Sequence, residues 1–254
     1  MKVYLDNNII VSLENGDYSF DRIESLFSDQ KIDFVYSSAH IFEVENFQGN
    51  ELISKNELLT KRFDSIRKIF KNNYLYLDHD DNQLVNIIED PQEVYDTITL
   101  IPFGIQAMKG FMNMISKEQK EDFRKQLGIE IQKLNNYSAT EVIRHLNTKL
   151  TNWGTNQSFI ELIEYGITLH PNGHKFGLHN RIAGIFEFLD MLGYWKDKET
   201  DSSNYARLWD ASHSFFATYC DYFISDDKRT RNKANVVYNI YNKSTKILSS
   251  KGKK

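Results

Sequence analysis

The stretch Lys2-Val3-Tyr4-Leu5-Asp6-Asn7-Asn8-Ile9-Ile10 decides the fold, because it joins a short apolar run to a polar turn and then to a helical pattern. The apolar run up to Leu5 predicts a buried strand that Asp6 ends. A second β-rich run over 33–36 follows an amphipathic segment over 21–27. Strand, helix and strand in this order predict an α/β fold with a parallel sheet.

The same alternation predicts the remaining core elements. Ser37 and Ser38 are typical of a helix N-cap, and the apolar residues that follow them recur at helical spacing. The further predictions are helices over 39–47, 51–70 and 205–219, strands over 74–77, 221–225 and 245–249, and a short turn or helix between the last two strands. We therefore predict a three-layer α/β/α sandwich around a mostly parallel central sheet.

A long helical segment interrupts this core. Strand patterns largely vanish between residues 90 and 192, where helical runs over 118–133, 139–150 and 181–192 are separated by Asn, Gly and Pro. We predict one domain over 1–254, with an α/β core over 1–89 and 193–250, a helical insertion over 90–192 and a basic tail over 251–254.

Composition excludes several classes of protein. Hydrophobic residues at 41%, aromatic residues at 13% and charged residues at 26% are values of a globular chain, and they exclude a largely disordered, fibrous or membrane-embedded one. A single cysteine, Cys220, excludes an internal disulfide framework and a cysteine-rich zinc module. The N-terminus lacks the apolar segment of a secretion signal, so we expect a reducing, cytoplasmic location and no membrane association.

Charge is distributed unevenly along the chain. Residues 228–254 contain nine Lys or Arg and no Asp or Glu, and subtracting these nine from the net charge of −4 leaves −13 for the first 227 residues. The basic segment begins with Lys228, Arg229, Arg231 and Lys233, directly after two acids. We expect these four side chains to contact nucleic-acid phosphates, although a lysine-rich end can also serve only solubility.

Acidic residues recur where strands end. Asp6 follows the first strand and Asp226-Asp227 the late one, while Glu43 and Asp210 lie in helices next to predicted strands. Converging carboxylates repel one another unless a cation neutralises them, and an oxygen-only ligand set favours Mg²⁺ or Mn²⁺. Such a site can hydrolyse phosphodiesters through an activated water.

Four segments of the chain resemble the PIN-domain nucleases. The opening strand with Asp6 and the segment Ser37-Ser38-Ala39-His40-Ile41-Phe42-Glu43 look like the first two acidic motifs of that family. The third and fourth acidic motifs of the family resemble two later segments of this chain. They are Leu208-Trp209-Asp210-Ala211-Ser212-His213 (208–213) and Asp221-Tyr222-Phe223-Ile224-Ser225-Asp226-Asp227-Lys228-Arg229 (221–229). The resemblance covers roughly the first 80 and last 50 residues.

The resemblance implies a function and a set of site residues. Asp6, Glu43, Asp210 and Asp227 would be catalytic and bind the metal, with Asp226 as a less favoured substitute for Asp227 and with His213 and Ser225 in support. The family cuts RNA, and many members are toxins or defence effectors that a partner protein holds inactive. The sequence leaves open the RNA cleaved, the number of ions and whether the chain is a homo-oligomer.

Simpler interpretations stay open for each residue. Asp6 can be only a helix N-cap, Glu43 and Glu45 only solvent-facing helix residues, and Asp226-Asp227 only turn chemistry. His213 can orient a carboxylate or contact substrate, but we expect it to be a hydrogen-bonded structural histidine. A catalytically inactive PIN-like scaffold that binds RNA or protein is the main alternative function. A haloacid-dehalogenase-like phosphatase fits less well, because Asn8 stands where that class needs a second Asp.

Two further patterns resemble metal sites incompletely. His170, His174 and His179 suggest zinc, but their spacing matches no helical ligand pair. Asp78, Asp80 and Asn82 begin like a calcium loop, but the required Gly and terminal Glu are missing. We expect the first group to be structural and the second to be a solvated turn.

Overall fold

Six strands form a mostly parallel sheet in the computed structural model of this α/β protein. The strands are β1 (Lys2–Leu5), β2 (Asp33–Ser37), β3 (Asn73–Asp78), β4 (Gln83–Ile88), β5 (Tyr222–Ile224) and β6 (Lys246–Leu248). Their order in the sheet is β4-β3-β2-β1-β5-β6, and only β4 runs antiparallel to its neighbour. The arrangement is consistent with the predicted three-layer sandwich.

Helices occupy most of the rest of the chain that the structure describes, which comprises residues 1–27, 30–45, 54–78, 82–98, 116–171, 173–197 and 201–252. The helices are α1 (Asn7–Asn15), α2 (Phe20–Glu24), α3 (Ser38–Glu45), α4 (Lys55–Phe70), α5 (Pro91–Ile98), α6 (Lys117–Gln126), α7 (Ile131–Leu134), α8 (Ala139–Asn152), α9 (Phe159–Leu169), α10 (Leu178–Met191), α11 (Asp201–Ala217) and α12 (Lys228–Ile240). Within these ranges, no helix is both long and apolar enough to cross a membrane.

The chain divides into two compact units. The first contains residues 1–103, 213–231 and 244–254, and the second contains residues 104–212 and 232–243. All six strands belong to the first unit, and the described elements that lie wholly within the second are helical.

Both faces of the sheet are covered in the first unit. Val3 and Leu5 point into a core that includes Ile9 and Ile10 of α1 and Phe63 of α4. The intervening residue, Tyr4, points to the other face, because side chains alternate along a strand. Its ring stacks at 6.4 Å on that of Phe216 in α11. A strand buried on both faces explains why its sequence is apolar without alternation.

The second unit is built from helices with strong N-terminal caps. In α6, α8 and α9 the serine before the helix and the Glu or Gln three residues later form a reciprocal capping box. The apolar faces of these helices and of α10 pack inward, with Val142, Leu146, Phe159, Ile185 and Phe186 essentially buried. Three of these helices, α6, α8 and α9, therefore start at a sequence-encoded signal, and α8, α9 and α10 bury apolar side chains.

The structure corrects three predicted elements. The helix predicted over 118–133 is two helices, because the chain turns at Gly128 with a positive φ of 61°. The segment after Asp227, predicted as a short turn or helix, is the long helix α12. Strand β4 was not predicted at all, since most of its residues are exposed and show no apolar alternation.

Candidate active site at the carboxyl ends of the central strands

The candidate site lies where the order of the strands reverses. From β1 the chain continues to β2 and β3 on one side of the sheet and later fills the other side with β5 and β6. Asp6 directly follows β1, and Ser225 directly follows β5. In open parallel sheets, ligands bind in the crevice at such a reversal, beyond the carboxyl ends of the strands.

Asp6 is buried at the start of α1, with 2% of its surface exposed. Its Oδ1 accepts a hydrogen bond from the backbone N–H of Asn7 at 2.8 Å, so the N-cap interpretation is correct. Its Oδ2 accepts from the Ser225 hydroxyl and from Nδ2 of Asn8. Burial raises the pKa of Asp6, the nearby Glu43 carboxylate raises it further, and His213 and Ser225 act against this.

Ser225 connects Asp6 to Asp227. Its hydroxyl oxygen accepts a hydrogen bond from the backbone N–H of Asp227 at 3.2 Å while donating to Asp6. Oδ1 of Asp227 accepts from the backbone N–H of Arg229 at 2.6 Å, which places Asp227 at the N-terminus of α12. We call Asp6, Ser225 and Asp227 the carboxylate bridge.

Asp226 is held away from the carboxylate bridge. Its Oδ1 accepts from the Ser249 hydroxyl at 2.7 Å and from the Ser250 backbone N–H at 2.9 Å, and its Oδ2 accepts from the Ser250 hydroxyl at 2.6 Å. Burial alone would raise the pKa of Asp226, but these hydrogen bonds outweigh it and lower the pKa. The side chain anchors the C-terminal turn, so the predicted substitute role of Asp226 has no support in the geometry.

Asn8 also orients the two loops, a role that the sequence did not reveal. Its Nδ2 donates to Asp6, and its Oδ1 accepts from the backbone N–H of Asp226 at 3.0 Å. The polar turn after β1 therefore fixes the loop after β5. Asn8 is the residue that argued against a phosphatase, and in the structure it positions Asp6.

Glu43 is held by a buried polar chain that consists of Glu43, His213, Tyr4 and Ser37. Nε2 of His213 lies 3.1 Å from Oε2 of Glu43, and Nδ1 lies 2.8 Å from the Tyr4 hydroxyl. A carboxylate only accepts, so Nε2 of His213 donates, and in the neutral ring Nδ1 accepts from Tyr4. The Tyr4 hydroxyl in turn lies 2.6 Å from that of Ser37.

The polar chain confirms that His213 is hydrogen-bonded in the interior, and it adds that this residue orients Glu43. His213 is 1% exposed, whereas the Glu43 side chain is 30% exposed. Burial raises the pKa of Tyr4 well above its usual range, so its hydroxyl stays protonated and can donate. Glu43 is therefore neither fully buried nor simply solvent-facing.

His40 forms a second buried contact below the site. Its Nδ1 accepts from the Ser37 backbone N–H at 3.0 Å, so its Nε2 carries the proton and donates to the Leu5 carbonyl at 2.8 Å. Burial lowers the pKa of His40 well below its usual range, and the neighbouring His213 lowers it further. The ring is neutral and ties α3 to the end of β1.

Arg62 of α4 holds the start of α1 from the opposite direction. It is 2% exposed, and its Nε lies 2.8 Å from Oε1 of Glu14. Its Nη1 donates to Oδ1 of Asn7 and to the His40 carbonyl. No local sequence pattern indicates this role of Arg62, because its partners lie 22, 48 and 55 positions away along the chain.

The basic residues after Asp227 have different surroundings. Lys228 is exposed, and Arg229 and Arg231 are half-buried. Nη1 of Arg231 donates to the Ser225 carbonyl at 2.6 Å, so this guanidinium also stabilises the loop of the carboxylate bridge. These three side chains begin α12, next to Asp227.

The structure corrects the predicted role of Lys233. This residue is 1% exposed, and its Nζ donates to Oδ1 of Asp190 at 3.2 Å and to Oδ2 of Asp197 at 3.0 Å. Asp190 also pairs with Arg207 at 2.8 Å. Two buried carboxylates hold the ammonium, so it does not contact a nucleic-acid backbone. Lys233 lies five residues after the exposed Lys228, and at about 100° per residue this places it on a different side of α12.

The remaining sequence-predicted residues belong to both units of the chain. Asp210 belongs to the second unit and precedes His213 by three residues in α11, so its place at the carboxylate site stays a prediction. His179 lies 3.1 Å from the Ser212 hydroxyl, and the ring of His170 lies 4.7 Å from that of Phe176. The side chain of His174 and all of Asp80 lie outside the described residues. Asn82 is in the turn between β3 and β4.

The carboxylates of the site have oxygens that can accept further ligands. Within the described residues, no hydrogen bond reaches Oε1 of Glu43 or Oδ2 of Asp227. The same residues contain no group of three or more His, Cys, Asp or Glu side chains arranged to hold a metal ion. Oxygen donors for a hard cation are present, but not as a closed protein cage.

Comparisons with protein-family models, with curated proteins and with solved structures find no match for this chain.

Proposed function

We propose that this protein is a metal-dependent endoribonuclease in which Asp6, Glu43 and Asp227 hold a Mg²⁺ or Mn²⁺ ion. The observation that carries the proposal is the carboxylate bridge at the reversal of strand order. It connects two acids that follow different strands, and burial, together with the charge of Glu43, raises the pKa of Asp6. Carboxylates that converge in this way favour a bound cation, because it offsets their mutual repulsion.

The donor set suits Mg²⁺ better than a caged ion. Mg²⁺ keeps several of its waters and is commonly held by one or two carboxylates together with substrate phosphates. One or two of the three carboxylates can then bind the ion directly and the rest through its waters, which agrees with the open oxygens of Glu43 and Asp227. A bound ion would activate water for attack on a phosphodiester and stabilise charge on the leaving oxygen.

The surrounding residues orient these acids. Ser225 and Asn8 fix the plane of the Asp6 carboxylate, and His213 fixes one oxygen of Glu43 and leaves the other open. Hydrogen-bonding partners of metal ligands act in this way in many sites. Lys228, Arg229 and Arg231 lie next to Asp227 and supply positive charge for the phosphates of the substrate.

RNA as the substrate, Asp210 as a fourth acid and a PIN-like identity come from the family resemblance. The same resemblance suggests a toxin or defence effector with a neutralising partner protein. We expect the protein to act in the cytoplasm, where the buried thiol of Cys220 stays reduced.

A catalytically inactive PIN-like scaffold is the second candidate, and one observation favours it. The described residues lack a group of three or more side chains arranged for a metal ion. A scaffold would use the same basic start of α12 to bind RNA without cutting it.

Cleavage of end-labelled structured RNA distinguishes the two candidates. We expect cleavage with Mg²⁺ or Mn²⁺, none with EDTA, and none by Asp6→Asn. Asp64→Asn makes the same chemical change at a side chain that is 69% exposed, and it should cut like the wild type. RNA binding without cleavage under all metal conditions would favour the scaffold, and matched single-stranded DNA tests the choice of RNA.

A further inference from the structure

The two outermost strands of the sheet are protected very differently. Strand β6 has only three residues and begins with the exposed Lys246, and short length and a lysine both prevent an edge from pairing with another chain. Strand β4 has six residues, Gln83-Leu84-Val85-Asn86-Ile87-Ile88, with no charged residue and no proline. It lacks the usual features that keep an edge strand unpaired.

The outer edge of β4 carries unpaired backbone groups. Glu89 donates its backbone N–H to the Asn72 carbonyl at 3.0 Å, and in an antiparallel ladder every second residue makes such bonds. Val85 and Ile87 therefore face β3, while Leu84, Asn86 and Ile88 direct their N–H and C=O groups outward. Within the described residues, no backbone hydrogen bond reaches those outward groups.

Apolar side chains are exposed along the same strand. Ile88 is 69% exposed, Val85 is 44% exposed, and Tyr76, which pairs with Val85 in β3, is 43% exposed. Tyr76 and Val85 share one face of the sheet, and Ile88 lies on the other, because side chains alternate along a strand. Exposed apolar side chains on both faces of an uncharged edge strand are typical of a strand-pairing surface.

We propose that β4 pairs antiparallel with β4 of a second copy of this chain, with the two-fold axis at Asn86. Of the antiparallel registers that pair the outward-facing residues, we choose this one because it sets apolar residues opposite apolar ones: Leu84 lies opposite Ile88 of the second copy, and Asn86 lies opposite its own equivalent. Val85 then lies opposite Ile87 of the second copy. The pairing joins the two sheets into one.

The strand complements itself, which is the reason to choose a second copy over another partner. Around the axis, apolar residues face apolar residues, the two Asn86 amides face each other and can hydrogen-bond, and no like charges meet. A two-fold contact requires this property, because each residue must suit its counterpart on an identical surface. The proposal does not depend on nuclease activity.

Sedimentation over a hundredfold range of protein concentration tests the pairing. We expect a reversible monomer–dimer equilibrium for the full chain. Asn86→Lys places two ammonium groups face to face at the axis, and it should weaken dimerisation at least tenfold. Asn56→Lys makes the same change at an exposed position of α4 and should leave it unchanged.

Amide hydrogen exchange locates the interface and keeps the test independent of folding defects. The amides of Leu84, Asn86 and Ile88 should exchange more slowly at high protein concentration than at low, and those of β6 should not change. A wild type that stays monomeric throughout overturns the proposal. So does a dimer in which these three amides exchange as fast as in the monomer, or one that Asn86→Lys leaves intact.

Discussion

The Ser225 hydroxyl donates a hydrogen bond to Oδ2 of Asp6 and thereby joins the loop after β5 to the loop after β1. The same oxygen accepts from the Asp227 backbone, so one buried serine sets the relative position of two acids.

Replacing Ser225 should lower activity more than its loss of stability explains. Ser225→Ala removes the donor to Asp6 and the acceptor for Asp227, and loss of such supporting contacts typically costs about 10- to 100-fold in activity or metal affinity. Cleavage rates at saturating Mg²⁺ and denaturant unfolding measure the two effects. Ser249→Ala, which removes a donor to Asp226, is the control and should retain most of the activity; equal losses would contradict the role given to Ser225.

The His213 contact should affect the metal requirement. His213→Leu cannot donate to Glu43, whereas the amide of His213→Gln can, so the Mg²⁺ concentration for half-maximal cleavage should rise about 10- to 100-fold in the first and less in the second. Titration of Mg²⁺ in the cleavage assay measures this. If the two variants need the same Mg²⁺ concentration as each other at equal stability, His213 does not position Glu43.

Lys233 and Lys228 should separate stability from RNA binding. Lys233→Met leaves Asp190 and Asp197 buried without their ammonium partner, and breaking a buried ion pair costs about 3 to 5 kcal/mol of unfolding free energy. Lys228→Ala, at an exposed position, should cost much less stability and weaken RNA binding, with the slope of log Kobs against log salt concentration reduced by about 0.7 for one lost phosphate contact. Filter binding at several salt concentrations and chemical unfolding measure both. The reverse pattern would restore the sequence-based prediction for Lys233.

These contacts show what the sequence can reveal. The strands β1, β2, β3, β5 and β6 and the positions of Asp6 and Asp227 were predictable, because apolar runs and the acids that end them are local signals. The partners of Lys233 are 43 and 36 positions away, in a different helix and loop, so no local pattern reveals its burial. Strand β4 escaped prediction because an exposed edge needs no apolar alternation.

The supporting polar contacts were harder to predict than the acids. His213 was expected to be structural, but its link to Glu43 spans 170 positions and depends on how α3 and α11 pack against β1. In the sequence, Asn8 provides only an argument against a phosphatase, and nothing there indicates that it orients Asp6. A side chain that orients another has no sequence signature of its own, since its partner is chosen by the tertiary fold.

His40 should make stability fall as the solution becomes acidic. The pKa of His40 is lowered in the folded protein. Below about pH 6.5, His40 is therefore protonated in the unfolded chain but not in the folded protein. Above that pH, the contribution of His40 to the free energy of unfolding should be fully present. Below it, the free energy of unfolding should decrease by up to about 1.4 kcal/mol per pH unit, until the pKa of His40 in the folded protein is reached.

A variant isolates this contribution. His40→Gln cannot titrate, so denaturant unfolding between pH 7 and pH 5 should show a shallower pH dependence than in the wild type, whatever its absolute stability. Parallel curves for the two proteins would show that His40 is protonated as easily in the folded protein as in the unfolded chain.

Direct binding of Mn²⁺, followed by electron paramagnetic resonance, tests the central claim without a choice of substrate. We predict that the wild type binds Mn²⁺ and that Asp6→Asn, Glu43→Gln and Asp227→Asn each weaken this binding, while Asp64→Asn does not. Wild-type protein that binds no Mn²⁺, or binds it as tightly after these three substitutions, would contradict a metal site at the ends of β1 and β5.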